Sequence, residues 1–256
     1  MYLRYLVVTV FCICLVSCYE VNEEIVINDN GTGTYVSNMD LGQLIDMMQT
    51  FAGEEEMAKE GMDKVIDTTI LMKDIADSAQ RATPEQKELV KDGKMSLQMN
   101  MKEKIFKIGI NIPYKNHDNL QKLMAGDGSG MGMASVFKNL FGKGNAGSQD
   151  SAAQGPDMGE FSSIYDVSIK NGVISRTLNN EKFKALTEKP EMAQMKEVTN
   201  SGFEVLYTTV FKLPRPVKKS DNPLLKLSDD KKTVTFKYNM LEILEHPDKF
   251  AYTIEY

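Results

Sequence analysis

Apolar and polar residues alternate over long stretches of this chain, as they do in strands with one buried face. The alternation, together with a β-branched run at 65–72, predicts strands at residues 23–28, 34–37, 65–72, 97–101, 106–112, 164–169, 173–178, 203–213, 233–236 and 250–256. A period of two is typical of antiparallel strands that have one solvated face. We expect Pro113 to end the strand before it, because proline has no backbone N–H for the hydrogen-bond ladder.

Two Asn-Gly pairs lie between neighbouring strands of this prediction. Asn30-Gly31 separates residues 23–28 from 34–37, and Asn171-Gly172 separates residues 164–169 from 173–178. Asn-Gly favours the positive φ values that tight hairpin turns need. Both pairs of strands are therefore predicted to form hairpins.

Apolar residues spaced three and four positions apart predict short helices between the strands. The first follows Asp40, which can cap free N–H groups, with Gln43 as its reciprocal partner. Thr83-Pro84-Glu85 has the cap, the proline and the acidic first turn of a helix start. Helical segments are predicted at residues 41–48, 84–90, 120–124, 180–198 and 240–244. The fold class is therefore α+β, with mostly antiparallel sheets built from hairpins and short helices packed on one face.

Residues 125–160 differ in composition from the rest of the chain. They contain nine of its 18 glycines, with many Ser, Gln and Ala residues, and such a segment buries too little apolar surface to offset the entropy of ordering. We interpret it as a mobile loop. The predicted organisation is a signal peptide at 1–17, an N-terminal α+β half at 18–124, this loop, and a C-terminal α+β half at 161–256. The two halves form either one domain or two.

The first seventeen residues have the features of a secretory signal. A basic start at 1–4 precedes an apolar run of twelve residues, Tyr5 to Val16, which is too short to span a bilayer core of about 30 Å. Leu15-Val16-Ser17-Cys18 resembles a bacterial lipobox. The resemblance implies cleavage before Cys18 and attachment of acyl chains such as palmitate to that residue, which would anchor the chain in a membrane. The other two cysteines lie within the signal, so the mature chain is predicted to have no disulfide.

Composition and charge exclude several classes of function. The net charge is −6, and nucleic acid is not expected as a partner, because a phosphate backbone needs a basic face. The chain has no Trp, two His and no recognisable nucleophile or zinc motif. We predict no catalytic residues, no metal site and no cofactor. Met99 and Met101 have thioethers that suit Cu(I), but they share a face with Leu97 and are interpreted as core.

Basic residues cluster around the proline break that follows the predicted strand 203–213. The cluster, here called the basic patch, consists of Lys212, Arg215, Lys218 and Lys219. It is a candidate interaction surface for anionic lipid headgroups or for a protein partner. The alternative is a solvated strand end without a binding role.

Several segments together carry a resemblance to known proteins. They are Val65–Thr69, Met95–Met101, Phe211–Lys218, Lys231–Val234 and Leu244–Pro247. In a chain that begins with a lipobox-like segment, they resemble an uncharacterised family of Bacteroidota-type envelope lipoproteins. The order of strand, proline break, strand, short helix and strand is similar to that of the LppM-like lipoproteins. The resemblance implies an envelope location and an α+β fold, and it implies no catalytic residues.

Three functional hypotheses follow. The first is a non-enzymatic binding or interaction module, anchored through acyl chains on Cys18 to the cell envelope, in the outer membrane of a Gram-negative bacterium, with an envelope protein as partner. The second is a carrier or sensor of an apolar ligand held between the sheet and its helices. The third is a hydrolase that depends on a pair of carboxylates.

Overall fold

The computed structural model describes residues 18–43, 45, 65–78, 82–125, 161, 163–189, 192 and 204–256. The predicted signal peptide, nearly all of the glycine-rich segment and parts of the helices predicted at 41–48 and 180–198 lie outside these residues. None of the helices described has the length and the apolar composition needed to cross a bilayer.

The described residues form twelve strands, four short α-helices and two 3₁₀ helices, which confirms the α+β class. The strands are β1 (Cys18–Ile27), β2 (Gly33–Asp40), β3 (Ile66–Leu71), β4 (Lys94–Asn100), β5 (Ile105–Tyr114), β6 (Tyr165–Lys170), β7 (Val173–Leu178), β8 (Glu204–Lys212), β9 (Lys219–Ser220), β10 (Leu225–Leu227), β11 (Thr233–Asn239) and β12 (Tyr252–Glu255). The α-helices are α1 (Met72–Ser78), α2 (Pro84–Val90), α3 (His117–Met124) and α4 (Asn180–Thr187), and the 3₁₀ helices are Met240–Leu244 and Pro247–Phe250.

Eight strands make the larger sheet, in the order β10-β11-β8-β1-β2-β5-β4-β3. Its neighbouring strands are antiparallel except β1 and β8, which run parallel from the Cys18–Glu204 pair to the Val26–Lys212 pair. Strands from before and after the glycine-rich segment therefore share one sheet. The remaining strands form a smaller sheet in the order β6-β7-β12-β9.

The two sheets pack face to face over the half of the larger sheet that contains β8 and β11. The ring of Phe236 lies 5.3 Å from that of Tyr252 and 6.3 Å from that of Phe250, and Phe211 also meets Tyr252 edge-on. Helices α1 and α2 add Met72 and other apolar side chains to the core beside β3 and β5. On most strands the residues that face this core alternate with outward-facing, mainly polar ones, as predicted.

Local signals for turns and caps are confirmed by the backbone. Gly31 and Gly172 have φ values of 81° and 86° in the two hairpin turns. Thr83 and Gln86 form the reciprocal capping box at the start of α2. Asp40 is the last residue of β2, and its carboxylate accepts a hydrogen bond from the Gly42 N–H at 3.1 Å.

Pro113 does not end a strand, contrary to the prediction. β5 continues through Pro113 to Tyr114 and pairs with β2 from Lys107 to Tyr114. β4, on the other side, pairs with β5 only as far as the Lys94–Asn111 pair. Beyond Asn111, β5 has a strand neighbour on one side alone. A residue without an N–H is tolerated in such a position because it interrupts no ladder there.

Three further boundaries differ from the prediction. Met101 lies in the turn between β4 and β5 rather than on a strand face, while Met99 is 4% exposed in the core as expected. Phe250 belongs to a 3₁₀ helix, because the short helix after His246 begins at Pro247, where proline suits a first turn. The short strands β9 and β10 carry no clear alternation and were not predicted.

One close contact joins three strands of the larger sheet. The hydroxyl of Tyr114 donates a hydrogen bond of 2.7 Å to the carbonyl of Val26, and the tyrosine lies directly over Gly33. A Cβ atom at position 33 would overlap both the Val26 carbonyl oxygen and the tyrosine hydroxyl. Glycine is required here by the close approach of β1, β2 and β5.

Candidate functional site

The inner face of β1 carries one charged residue, Glu23, near the middle of the larger sheet. In the strand register, Glu23 lies between Ser37 of β2 and Thr209 of β8. The Tyr35 hydroxyl donates a hydrogen bond of 2.5 Å to Glu23 Oε1, and Thr209 Oγ1 donates one of 3.1 Å to Oε2. Both carboxylate oxygens are thus held by neighbouring strands, so the position of the charge is fixed by the sheet.

The smaller sheet contributes a second charge, Arg176 of β7, which is only 7% exposed. Its guanidinium carbon lies 3.9 Å from the ring centroid of Tyr165 and 5.8 Å from that of Tyr238. Hydrogen bonds link Arg176 to the hydroxyls of Tyr238 and Tyr252. Aromatic ring faces attract a buried cation, and arginine keeps its proton in proteins. A charged guanidinium is therefore held inside a cage of tyrosines.

The shifts in the pKa values of Glu23 and Tyr35 agree with these contacts. Burial raises the pKa of Glu23, while the hydrogen bonds from Tyr35 and Thr209 and the positive charge of Arg176 oppose this rise. Burial, and then the negative charge of Glu23, raise the pKa of Tyr35 well above 10.0. The phenol of Tyr35 therefore stays protonated and remains a hydrogen-bond donor to the carboxylate.

Five residues on the inner face of the larger sheet near its middle are half-buried, namely Glu23, Tyr35, Met39, Ile110 and Tyr207. Ser37 and Thr209, which flank Glu23 on the two adjacent strands, are 6% and 4% exposed. We call this region the inner-face cleft; it is formed by Glu23, Tyr35, Met39, Ile110 and Tyr207. This region therefore combines partly buried apolar side chains with a single carboxylate.

This arrangement suits binding through apolar contact and hydrogen bonds. Among the strand residues that the structure describes, Glu23 is the one acidic residue on an inner face of either sheet. In the same part of the chain, no three His, Cys, Asp or Glu residues are grouped as metal ligands. A carboxylate that accepts hydrogen bonds from two hydroxyls still has lone pairs free for a third donor.

Cys18, the predicted site of acylation, is the first residue of β1, where its Cα pairs with that of Glu204. It stands at the edge of the larger sheet at which β1 and β8 both begin. Lys212 pairs with Val26 at the opposite edge. Eight residues of strand separate these positions, which corresponds to about 26 Å.

Three of the four residues of the basic patch have partners within the fold. Lys212 forms an ion pair of 2.7 Å with Glu24 on the outer face of the larger sheet. Arg215 lies 5.5 Å from the ring centroid of Tyr256, and Lys218 donates to the Tyr256 carbonyl at 3.4 Å. Lys219 is exposed on β9. Arg215 and Lys218 therefore help to hold the C-terminal strand.

Sequence patterns do not single out Glu23 or Arg176, although each interrupts an apolar alternation. Glu23 stands between Val21 and Ile25, and Arg176 follows Ile174 at the next inward position. Charged residues are rarely placed at inward positions of strands unless they are paired, and this was the available signal. No spacing along the chain could show that the charge of Arg176 acts on Glu23, because the two residues lie in different sheets.

Comparisons with known proteins add little to this geometry. No protein-family model and no curated protein matches the chain, so the expected Bacteroidota-type family is not supported. A similar solved structure is the NMR structure of the folded domain of the Mycobacterium tuberculosis LppM protein, with 9% sequence identity over 93% of this chain and 90% of that chain. The TM-score is 0.31. The expected likeness to LppM is therefore present as a weak structural similarity, which carries no argument about function.

Proposed function

We propose that this chain is a lipid-anchored, non-enzymatic protein of the cell envelope that binds an apolar ligand. The observation that supports the proposal is the inner-face cleft, in which the half-buried Tyr35, Met39, Ile110 and Tyr207 lie on the same sheet face as the half-buried Glu23. Small-molecule sites are concave and mostly apolar, with a few placed polar groups that orient the ligand. Met39 suits such a surface because its flexible thioether adapts to ligands of different shape.

The anchor rests on the lipobox-like segment that ends at Cys18. Two or three acyl chains give stable membrane attachment, since each buried methylene contributes about 0.8 kcal/mol. Cys18 is also the first residue of β1, so the anchor joins the larger sheet without an intervening linker. The outer membrane of a Gram-negative bacterium is the location we propose.

A hydrolase is a weaker candidate, because the polar partners of Glu23 favour binding. Hydrolysis of a glycosidic bond by carboxylates needs two of them, roughly 5 to 10 Å apart. Glu23 is instead hydrogen-bonded to the hydroxyls of Tyr35 and Thr209, and the charge that acts on it is the positive one of Arg176. Such a carboxylate is a fixed acceptor.

A protein-binding role for the basic patch is a second candidate, favoured by the position of Lys212. The parallel register places Lys212 at the edge of the sheet opposite Cys18. With Cys18 anchored, the patch would stand about 26 Å from the membrane surface when the strands run along the membrane normal. Lys212, Arg215, Lys218 and Lys219 would then face a protein partner rather than lipid headgroups.

Native mass spectrometry of the full chain, extracted gently from its own membranes, tests the ligand. We expect a small bound mass in addition to that of the acyl chains. Ile110→Trp should fill the cleft and lower the bound fraction about tenfold, because Ile110 lies on the inner face of β5. Asn111→Trp is the matched control, since the adjacent Asn111 is exposed on the outer face.

Each outcome decides between the candidates. A bound small mass that Ile110→Trp removes and Asn111→Trp retains supports a ligand carrier. Absence of any small mass, or equal occupancy in both variants, contradicts the proposal. A second protein chain in place of a small mass would favour an interaction module, and loss of that chain on Lys219→Glu would assign it to the basic patch.

A further inference from the structure

The two sheets have four edge strands, and three of them are short or covered. β10 and β9 have three and two residues, so they offer little backbone to another strand. β6 lies against α3, where the Ile169 N–H donates a hydrogen bond of 3.1 Å to Gln121 Oε1. Short edges and covered edges are ways in which proteins prevent strands of different molecules from pairing. The fourth edge strand is β3, which has six residues.

The composition of β3 and of the residue before it, Val65, favours a strand partner. Ile66–Leu71 contains no Lys and no Pro, the residues that commonly guard an edge. Val65 and Leu71 are 72% and 49% exposed, more than any other large apolar side chain that the structure describes. Within the described part of the chain, β4 is the one strand that pairs with β3.

Hydrogen bonds show which backbone groups of β3 point toward its outer edge. The Met72 N–H donates to the Gly93 carbonyl at 2.9 Å, and these two residues continue the register of β3 with β4. Backbone N–H and C=O groups alternate in direction along an antiparallel strand. Those of Asp67, Thr69 and Leu71 therefore point away from β4, where they can form a ladder with an added strand.

A second copy of β3 fits this edge when the two strands run antiparallel about a two-fold axis at Thr68. This register opposes Val65 to Leu71, Ile66 to Ile70 and Asp67 to Thr69 of the second copy. Apolar side chains then meet apolar ones, and the two most exposed of them are covered. An axis at Asp67 would instead place two carboxylates opposite each other, which is unfavourable.

We infer that β3 is the contact through which two copies of this chain pair, edge to edge, into one continuous sheet. This interaction is separate from the proposed ligand binding and needs no ligand. A contact of one short strand from each copy belongs to the small interfaces, below about 1,200 Å². Anchoring of both copies in the same membrane would raise their effective concentration and favour the pair.

The twist of the sheet is compatible with two anchors in one membrane. Four steps separate β1 from β3 in the sheet order, so nine steps separate the β1 strands of the two copies. A rotation of about 20 to 25° per step amounts to roughly 180 to 225° in all. The two β1 strands, antiparallel in the ladder, would therefore point in nearly the same direction, with both Cys18 residues on one side of the pair.

Disulfide trapping in washed membranes that carry the full chain tests the pairing. In the inferred register Thr68 faces its own counterpart as a non-hydrogen-bonded pair, with Cα atoms about 4.5 Å apart, which a disulfide can span. Under mild oxidation, Thr68→Cys should form at least about ten times more cross-linked dimer than Thr69→Cys on a non-reducing gel. Thr69 is the matched control, because it adjoins Thr68 but would lie roughly 8 Å from its counterpart. The native chain, which keeps Cys18, gives the background.

A second substitution in the Thr68→Cys chain tests the noncovalent contact. Leu71→Lys places a charge opposite Val65 of the second copy and should lower the cross-linked fraction about tenfold. Leu227→Lys is the matched control, because Leu227 is a similarly exposed residue of the other edge strand, β10, and should leave cross-linking unchanged.

Two results would contradict the inference. Equal cross-linking of Thr68→Cys and Thr69→Cys would overturn the register, and absence of a dimer in Thr68→Cys would overturn the pairing. Neither result bears on ligand binding, which is measured separately as a bound mass.

Discussion

At the residue scale, the most unusual feature is a pair of opposite charges within two otherwise apolar sheet faces. Isolated ions are costly to bury, and they persist in folded proteins when each is hydrogen-bonded or paired. Here the compensation comes mainly from hydroxyls and rings: Tyr35 and Thr209 hold Glu23, and the tyrosine cage holds Arg176. The ring contact and hydrogen bond between Arg176 and Tyr238 therefore join the smaller sheet to the larger one.

The raised pKa of Glu23 predicts a specific dependence of stability on pH. Because the folded state binds this proton more tightly than a chain with the usual value of 4.5, its contribution is fully present below about pH 4.5. It is lost as pH rises through the folded-state pKa. Relative to Glu23→Gln, the free energy of unfolding of the native protein should therefore fall as pH rises above about 4.5, as measured by urea denaturation.

A second variant defines the cause of that slope. Tyr35→Phe removes a hydrogen bond that opposes the rise in the pKa of Glu23, so the loss of stability should move to higher pH. The charged group that faces Glu23 from the other sheet, Arg176, is unchanged in this variant. Equal pH profiles for the native protein and Glu23→Gln would show that Glu23 does not titrate abnormally.

At the scale of elements, turns, caps and strand alternation could be predicted from neighbouring residues. Pairings between strands that are distant in sequence could not be predicted. The Asn-Gly turns, the capping box at Thr83 and the alternation along β4, β5 and β8 depend on neighbouring residues, and all are present in the structure. The parallel pairing of β1 with β8 leaves no local pattern. The same is true of the passage of β5 through Pro113, which depends on where β4 ends.

Gly33 offers a test of the packing among β1, β2 and β5. Gly33→Ala should lower the free energy of unfolding by about 3 kcal/mol, because the added methyl overlaps the Val26 carbonyl and the Tyr114 hydroxyl. Adding Tyr114→Phe should not restore stability, since the backbone overlap remains. Thermal or urea denaturation of the two variants measures this, and a loss below about 0.5 kcal/mol would contradict the close approach.

At the scale of the whole molecule, the predicted anchor and the sheet form one unit. Cys18, the predicted lipobox cysteine, is the first residue of a strand that pairs with β8 from its beginning and with β2 from Glu20 onward. A lipid on Cys18 would hold the larger sheet upright at the membrane surface. The orientation of the cleft would then be set by strand pairing rather than by a tether.

Removal of the cysteine tests the anchor. Cys18→Ala in the full chain should abolish labelling by an alkyne analogue of palmitate and leave an uncleaved precursor, because the acylated residue is missing. Cys14→Ala, within the signal, is the control and should be labelled like the native chain. In-gel fluorescence and intact mass measure both properties. Normal labelling of Cys18→Ala would refute the lipoprotein assignment.

The parallel pair β1–β8 also has a consequence for when the proposed cleft forms. Glu23 and Thr209, whose side chains meet across this pair, are separated by 186 positions. Contacts between residues so distant in sequence raise the contact order and slow folding, and during synthesis β1 emerges long before its partner. The proposed binding cleft would therefore be completed only when most of the chain has been made. Truncated products that lack β8 would keep their hairpins but could not form the cleft, so ligand binding would report that the whole chain has been synthesised and folded.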